Sequence, residues 1–264
     1  SRWSRAHLLA ASLAEPYPVV MKYMLLVVVV IVVASSRLVA EDPEMLLRDA
    51  RELTGERKFD EAHQLLSRLI KASPDEATPY YIRGRLNFQR GRMAESVRDF
   101  DAYVKRQPAA ASRQWERGIA LYYAGDFKAG AAQFELYQTF HDNDVENSVW
   151  RFLCMVPTEG VEKSRQVMLP IKDDRRIPMM KVFEMFRGTA TPAEVLANMN
   201  EDDPQGEVLT GRLFYAHLYL GLYLEAVGEK REARKYIALA ADKKLMNHPR
   251  INSYMWEVAR IHHE

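Results

Sequence analysis

Past residue 40 the apolar residues fall at three- and four-residue spacing, the mark of helices that bury one stripe. The spacing predicts three pairs of helices: about 43–55 with 59–72, 77–90 with 93–106, and 111–124 with 127–140. Pro43 suits a first helical turn, where its missing N–H costs nothing. Gly91 and Gly125 separate the members of the second and third pairs, where a left-handed residue lets the chain leave a helix. Arg57 holds that place in the first pair. No segment after residue 40 alternates with the period of a strand, so this part of the chain reads as all-α.

The pairs are copies of one another. Pro74 and Pro108 lie 34 residues apart, as do Phe59, Met93 and Phe127, then Leu66, Phe100 and Phe134, then Gly84 and Gly118. A fixed period of this length is the sequence mark of stacked helix–turn–helix units. With units 43–76, 77–110 and 111–144, small residues stand eight positions in (Ala50, Gly84, Gly118) and again after the turn (Ala62, Ser96, Gly130). The pattern resembles the tetratricopeptide repeat over roughly 100 residues, and departs from it at Arg57 for the turn glycine and Asp142 for the third closing proline. The resemblance implies a solenoid that serves as a binding scaffold.

Downstream of Asp144 the register fades. A helix is expected at 145–157 with Asp144 as its cap, and a partner at 160–169 stopped by Pro170. A charged connector, 171–176, leads to a Met- and Phe-rich helix at 178–187, apolar on nearly every side. That helix suits the core, a homodimer contact or a partner site. Thr191, Pro192 and Glu194 form a helix start, and the helix should end near Asn200 before an acidic turn at 201–206. The repeat then returns: 214–227 carries Leu220 and Gly221, Gly228 marks the turn, Ala233 follows, and the partner helix runs from about 230 to 242. A last helix, 251–262, with Trp256 on its apolar side, is expected to cap the array. The domain division is 1–40, 41–144, 145–207 and 208–264.

Composition adds limits. Apolar content of 48% fits a folded protein, and a formal net charge of +1 gives no basic surface for nucleic acid. Cys154 is the single cysteine, so an internal disulfide and a multi-cysteine metal site are both excluded; its neighbours Trp150, Phe152 and Leu153 suggest a buried apolar role. Residues 1–20 are unlike the rest and read as translated upstream of a true start at Met21 or Met24. A short basic stretch at Met21–Tyr23, the unbroken apolar run 24–34 and Leu38-Val39-Ala40 before Glu41 have the anatomy of a secretory signal peptide. Export follows, with the segment either cleaved or kept as a membrane anchor.

Candidate chemistry is sparse. There is no phosphate loop, no HExxH and no nucleophile elbow, so no catalytic residue, metal site or cofactor is assigned. His262 and His263 are adjacent, pointing about 100° apart on a helix, and read as a frayed terminus. His217 reads as a hydrogen-bonded core residue, and Asp142, Asp144 and Glu146 as a loop with a helix cap rather than a calcium loop. The quartet Asp173, Asp174, Arg175 and Arg176 reads as a solvated linker or as one wall of a pocket.

By the repeat resemblance, the concave face is lined 5, 9, 12 and 13 positions into each unit. That implies Tyr81, Arg85, Phe88 and Gln89 in the second copy, and Trp115, Ile119, Tyr122 and Tyr123 in the third. Aromatic side chains and arginine are the types that dominate binding energy. Some of these rings are equally suited to packing within the chain. The order of parts, Arg117 to Gly125, then Trp150, then an irregular middle, then Phe214 to Gly221, is similar to the bacterial NlpI-type tetratricopeptide proteins over roughly 45–262. That resemblance implies an exported, often dimeric scaffold that docks envelope hydrolases and a processing protease; no cysteine stands at the cleavage point to carry a lipid. A non-catalytic adaptor gripping a protein segment is therefore expected. The rivals are an enzyme or ligand-binding domain with a pocket at 173–207, and a purely structural dimerisation module.

Overall fold

A computed structural model describes residues 42–264. The expected signal segment and start sites lie outside the described residues. The chain divides between Leu46 and Leu47; before that point only 42–46, the opening of helix α1 (Pro43–Gly55), is described, and the compact unit Leu47–Glu264 holds the rest.

The described residues are helical, with no strand among them. The pairs are α1 with α2 (Phe59–Ala72), α3 (Thr78–Gln89) with α4 (Met93–Arg106), and α5 (Trp115–Tyr123) with α6 (Phe127–Gln138). The glycine column explains the close approach within each pair. A Cβ on Gly84 would lie 3.1 Å from the Phe100 ring, and one on Gly118 would lie 2.6 Å from that of Phe134. The large residue of each second helix thus fills the gap left by the missing side chain of the first. Arg83 ties α3 to α4 through a two-pronged pair with Asp99 at 2.8 and 2.7 Å.

Some helix bounds differ from expectation, most of all that of the returning repeat, whose first helix opens at Gly206 rather than 214. The third unit opens with a 3-10 turn, Pro108–Arg113, and α5 starts only at Trp115. Pro108 cannot donate to a preceding turn, and the bonds that form close after three residues, Ala110 to Gln107 and Gln114 to Ala111.

Helix α7 (Val145–Glu159) packs on α6 with Trp150, Phe152 and Cys154 inside, and it continues past Pro157 for its final turn. Asp144 caps it, accepting from the Glu146 N–H at 3.1 Å. Then come α8 (Val161–Gln166), α9 (Met179–Phe186) and α10 (Pro192–Asn198), the last opened by the expected capping box of Thr191 and Glu194. Helix α9 is internal: Met179, Val182, Phe183, Met185 and Phe186 are buried, with Phe186 against Phe152 and Tyr223. Its apolar surface is spent inside this chain. The returning repeat is α11 (Gly206–Ala226) with α12 (Lys230–Ala240), again fitted small against large, Gly221 under Ile237.

Helix α13 (Ser253–His263) does not simply cap the end of the array. It folds back along the inner faces of α3 and α5. Tyr254 stacks on Phe88, ring centres 4.7 Å apart, and meets Trp115 edge-on at 5.3 Å. Arg260 donates to the Gln89 carbonyl, and Arg57 pairs with Glu257 at 2.7 Å while its guanidinium covers the Phe59 and Trp256 rings. This accounts for the arginine in a glycine position. Arg57 adopts φ 59, a left-handed conformation, and its side chain clamps the terminal helix.

Candidate protein-binding groove

The concave face is divided in two by α13. On the side of α1 and α3 a cleft of about 380 Å³ remains, lined by Arg51, Thr54, Tyr81, Ile82, Arg85 and Gln89 among others. Tyr81 donates to Glu116 Oε1 at 2.8 Å, and Arg85 Nη1 lies 4.0 Å from the same oxygen. The Arg85 guanidinium also sits over the rings of Tyr81 and Tyr254, and a third of its side chain reaches solvent. Burial raises the Glu116 carboxyl above its ordinary range, against the pull of Arg85, and burial together with Glu116 pushes Tyr81 up to about 12. The result is a rigid aromatic floor with an arginine held flat over it. No carboxylate lines this cleft; its charged groups are Arg51 and Arg85.

The third-copy residues fare differently. Ile119 is fully buried and Phe88, from the second copy, is too, so neither can touch a partner. Trp115 is covered in part by Tyr254. Tyr122 packs on Trp150 and Phe127, and Tyr123 bonds His262 Nδ1 at 2.9 Å. For Phe88, Trp115, Tyr122 and Tyr123, side chains of α13 and α7 supply contacts a ligand would have made. Of the eight expected groove residues, Tyr81, Arg85 and Gln89 line the open half. The expectation missed Arg51 and Thr54, although they stand 9 and 12 positions into the first unit, the same columns as Arg85 and Phe88.

Other candidates resolve plainly. His262 is not frayed: its side chain is 9% exposed, and Nε2 lies 3.2 Å from Glu225 Oε2. His217 is half-buried beside Tyr236, and burial lowers its pKa. Cys154 is buried, which pushes its thiol up and away from reactivity.

The charged quartet splits. Asp173 and Arg175 are an exposed pair, but Asp174 is buried and Arg176 is not a solvated linker residue. Arg176 reaches Asp144 at 2.7 Å, Glu146 at 2.6 Å and Asp174 at 2.9 Å, binding the connector to the start of α7. Burial works to raise the Asp174 carboxyl, yet the bonds from Arg176 win and hold it below its ordinary range. Glu146, more deeply placed, goes up through burial despite Arg176. A cavity of about 190 Å³ lies beside this network, walled by Trp115, Tyr137, Trp150 and Tyr215.

An all-α array of paired helices with a partly open inner groove is the architecture of a helical repeat solenoid. Residues 47–111 match the family model described as tetratricopeptide repeat, and this part of the chain is similar to that family. The matched span holds α3 and most of α1, the two walls of the open cleft. Such repeats are in general non-catalytic and mediate contacts between proteins.

Proposed function

We propose that this protein is a non-catalytic scaffold that holds a segment of a partner protein in the half-groove between α1 and α3. The supporting observation is the cleft itself: a ring and a guanidinium fixed by Glu116, with Arg51 opposite and no acid among the lining groups. Those features favour an acidic segment, with its carboxylate on Arg85 and its apolar side chain on Tyr81. The apolar run 24–34 supports an exported protein, either cleaved or anchored through that run. The resemblance of the whole order of parts to NlpI-type proteins supports a partner among envelope hydrolases and their processing protease.

The test is a pull-down from the envelope fraction with wild type, Arg85→Glu and Arg51→Glu. Partners lost from both variants, and regained by a charge-reversed segment of the captured protein, support the reading. Equal recovery by all three baits removes it.

A further inference from the structure

We propose that the cavity bordered by α5, α7 and α11 is a binding site for an alkylammonium group, either a lysine side chain or a free primary amine. This inference stands apart from the groove, since none of the cavity's lining residues belongs to the cleft beside Arg85.

The walls are the indoles of Trp115 and Trp150 and the phenols of Tyr137 and Tyr215. Ring faces attract cations, most strongly where water is excluded. The polar lining groups include the acceptors Asp144, Glu146 and Asn147 and the donors Arg176 and Trp150 Nε1, and Glu146 also accepts from Tyr219 at 2.6 Å. Asp144, Glu146 and Asp174 share a single guanidinium, and Arg176 commits Nε, Nη1 and Nη2 to them. Asp144 Oδ2 receives a 3.4 Å bond from Tyr137 and lies 4.0 Å from His141 Nδ1. Asn147 lines the cavity with its side chain 3% exposed, and its Oδ1 has no hydrogen-bond partner among the described residues. A buried amide oxygen left open in this way is unfavourable unless a donor arrives.

An ammonium brings three donors and one positive charge, which answers the open Asn147 Oδ1 and the excess of carboxylates over the single guanidinium. An anion would face Asp144 and Glu146 with Arg176 already spent. Size restricts the ligand further. At about 190 Å³ the space is below the ~300–1,000 Å³ of pockets that enclose drug-sized molecules. A four-carbon chain ending in an ammonium suits it better than a whole cofactor does.

Trp115 and Trp150 make the site report on itself. The experiment titrates the full chain with n-butylamine, Nα-acetyl-lysine amide, its Nε-acetylated form and n-butyrate, reading tryptophan emission and heat. Both amines are expected to bind and shift the emission; the acetylated and anionic compounds should bind at least tenfold more weakly. Trp115→Leu, which removes a partly exposed wall, should weaken amine binding severalfold, while Lys71→Glu on α2, exposed and outside both the cavity and the groove, should leave it unchanged. Lysine amide binding tenfold tighter than butylamine would identify a polypeptide lysine as the source; equal affinities would identify a free amine. Equal binding of the free and Nε-acetylated lysine compounds, or no binding of either amine to wild type, overturns the proposal.

Discussion

Replacing Arg57 by glycine restores the residue that the repeat pattern has at that turn, and it should nonetheless weaken the fold. Arg57 sits at φ 59, where a residue with a Cβ costs roughly 1–2 kcal/mol that glycine avoids. Glycine returns part of that gain, about 0.5–1 kcal/mol, through its looser unfolded chain. Against this small relief stands the loss of the clamp on α13. The 2.7 Å bond to Glu257 is charge-assisted, worth about 1.5–3 kcal/mol, and the low end applies because a third of the Arg57 side chain is solvated. The Phe59 and Trp256 rings add about 0.5 kcal/mol each. The balance is a net loss of about 1–2 kcal/mol for Arg57→Gly. Arg57→Ala loses the same contacts and keeps the left-handed cost, so it should fall about 1 kcal/mol further. At about 2–4 °C per kcal/mol for a chain of this size, thermal melts separate all three proteins. Hydrogen exchange should show the loss first in α13. A glycine variant that melts at or above wild type would show that Arg57 clamps nothing.

Three further outcomes follow from the packing and the charges. Gly118→Ala places a Cβ 2.6 Å from the Phe134 ring and should cost about 1–3 kcal/mol by urea unfolding, whereas the same change at exposed Gly55, with open space around it, should stay within about 0.5 kcal/mol. Glu116 has a raised folded pKa, so its burial costs nothing below the ordinary value of 4.5 and its full amount above the raised one. Stability should therefore fall as pH rises through that window, and Glu116→Gln should flatten the step in melts taken across pH. Arg176→Met strands Asp144, Glu146 and Asp174; because half of the Arg176 side chain is exposed, a loss of about 2 kcal/mol is expected rather than the ~3–5 of a fully buried pair. Asp174 is held below its ordinary 3.8, so its share of that stability is present above 3.8 and disappears as pH falls through the lowered folded value; the variant and wild type should converge there.

The local parts of this fold are legible because local chemistry sets them. Helices α1, α2 and α4 have the expected bounds, since proline, glycine and a polar turn mark each end. The glycine and large-residue columns stand out in the repeat, but that Gly84 meets Phe100 is seen only in the packing, where a Cβ on the glycine would lie 3.1 Å from the ring. What periodicity cannot report is a contact between residues 200 apart, and the Arg57–Glu257 pair is one. For that reason α13 looked like a cap, and Phe88 and Ile119 looked available. Likewise nothing in four consecutive charges, 173–176, distinguishes the exposed Asp173–Arg175 pair from the networked Asp174 and Arg176. Arg176 is singled out only by three carboxylates brought to it from Asp174 and from the start of α7. Of the columns read for the second copy, Tyr81, Arg85 and Gln89 line the cleft while Phe88 is buried, and two of the same columns in the first copy hold Arg51 and Thr54.

The most direct test of the half-groove is amide hydrogen exchange on this protein, alone and bound to the segment captured from the envelope. Slowed exchange confined to the α1 residues around Arg51 and Thr54 and to α3 is the expected result. Slowing centred on α5, with α13 amides exchanging faster as if that helix had been displaced, would contradict it.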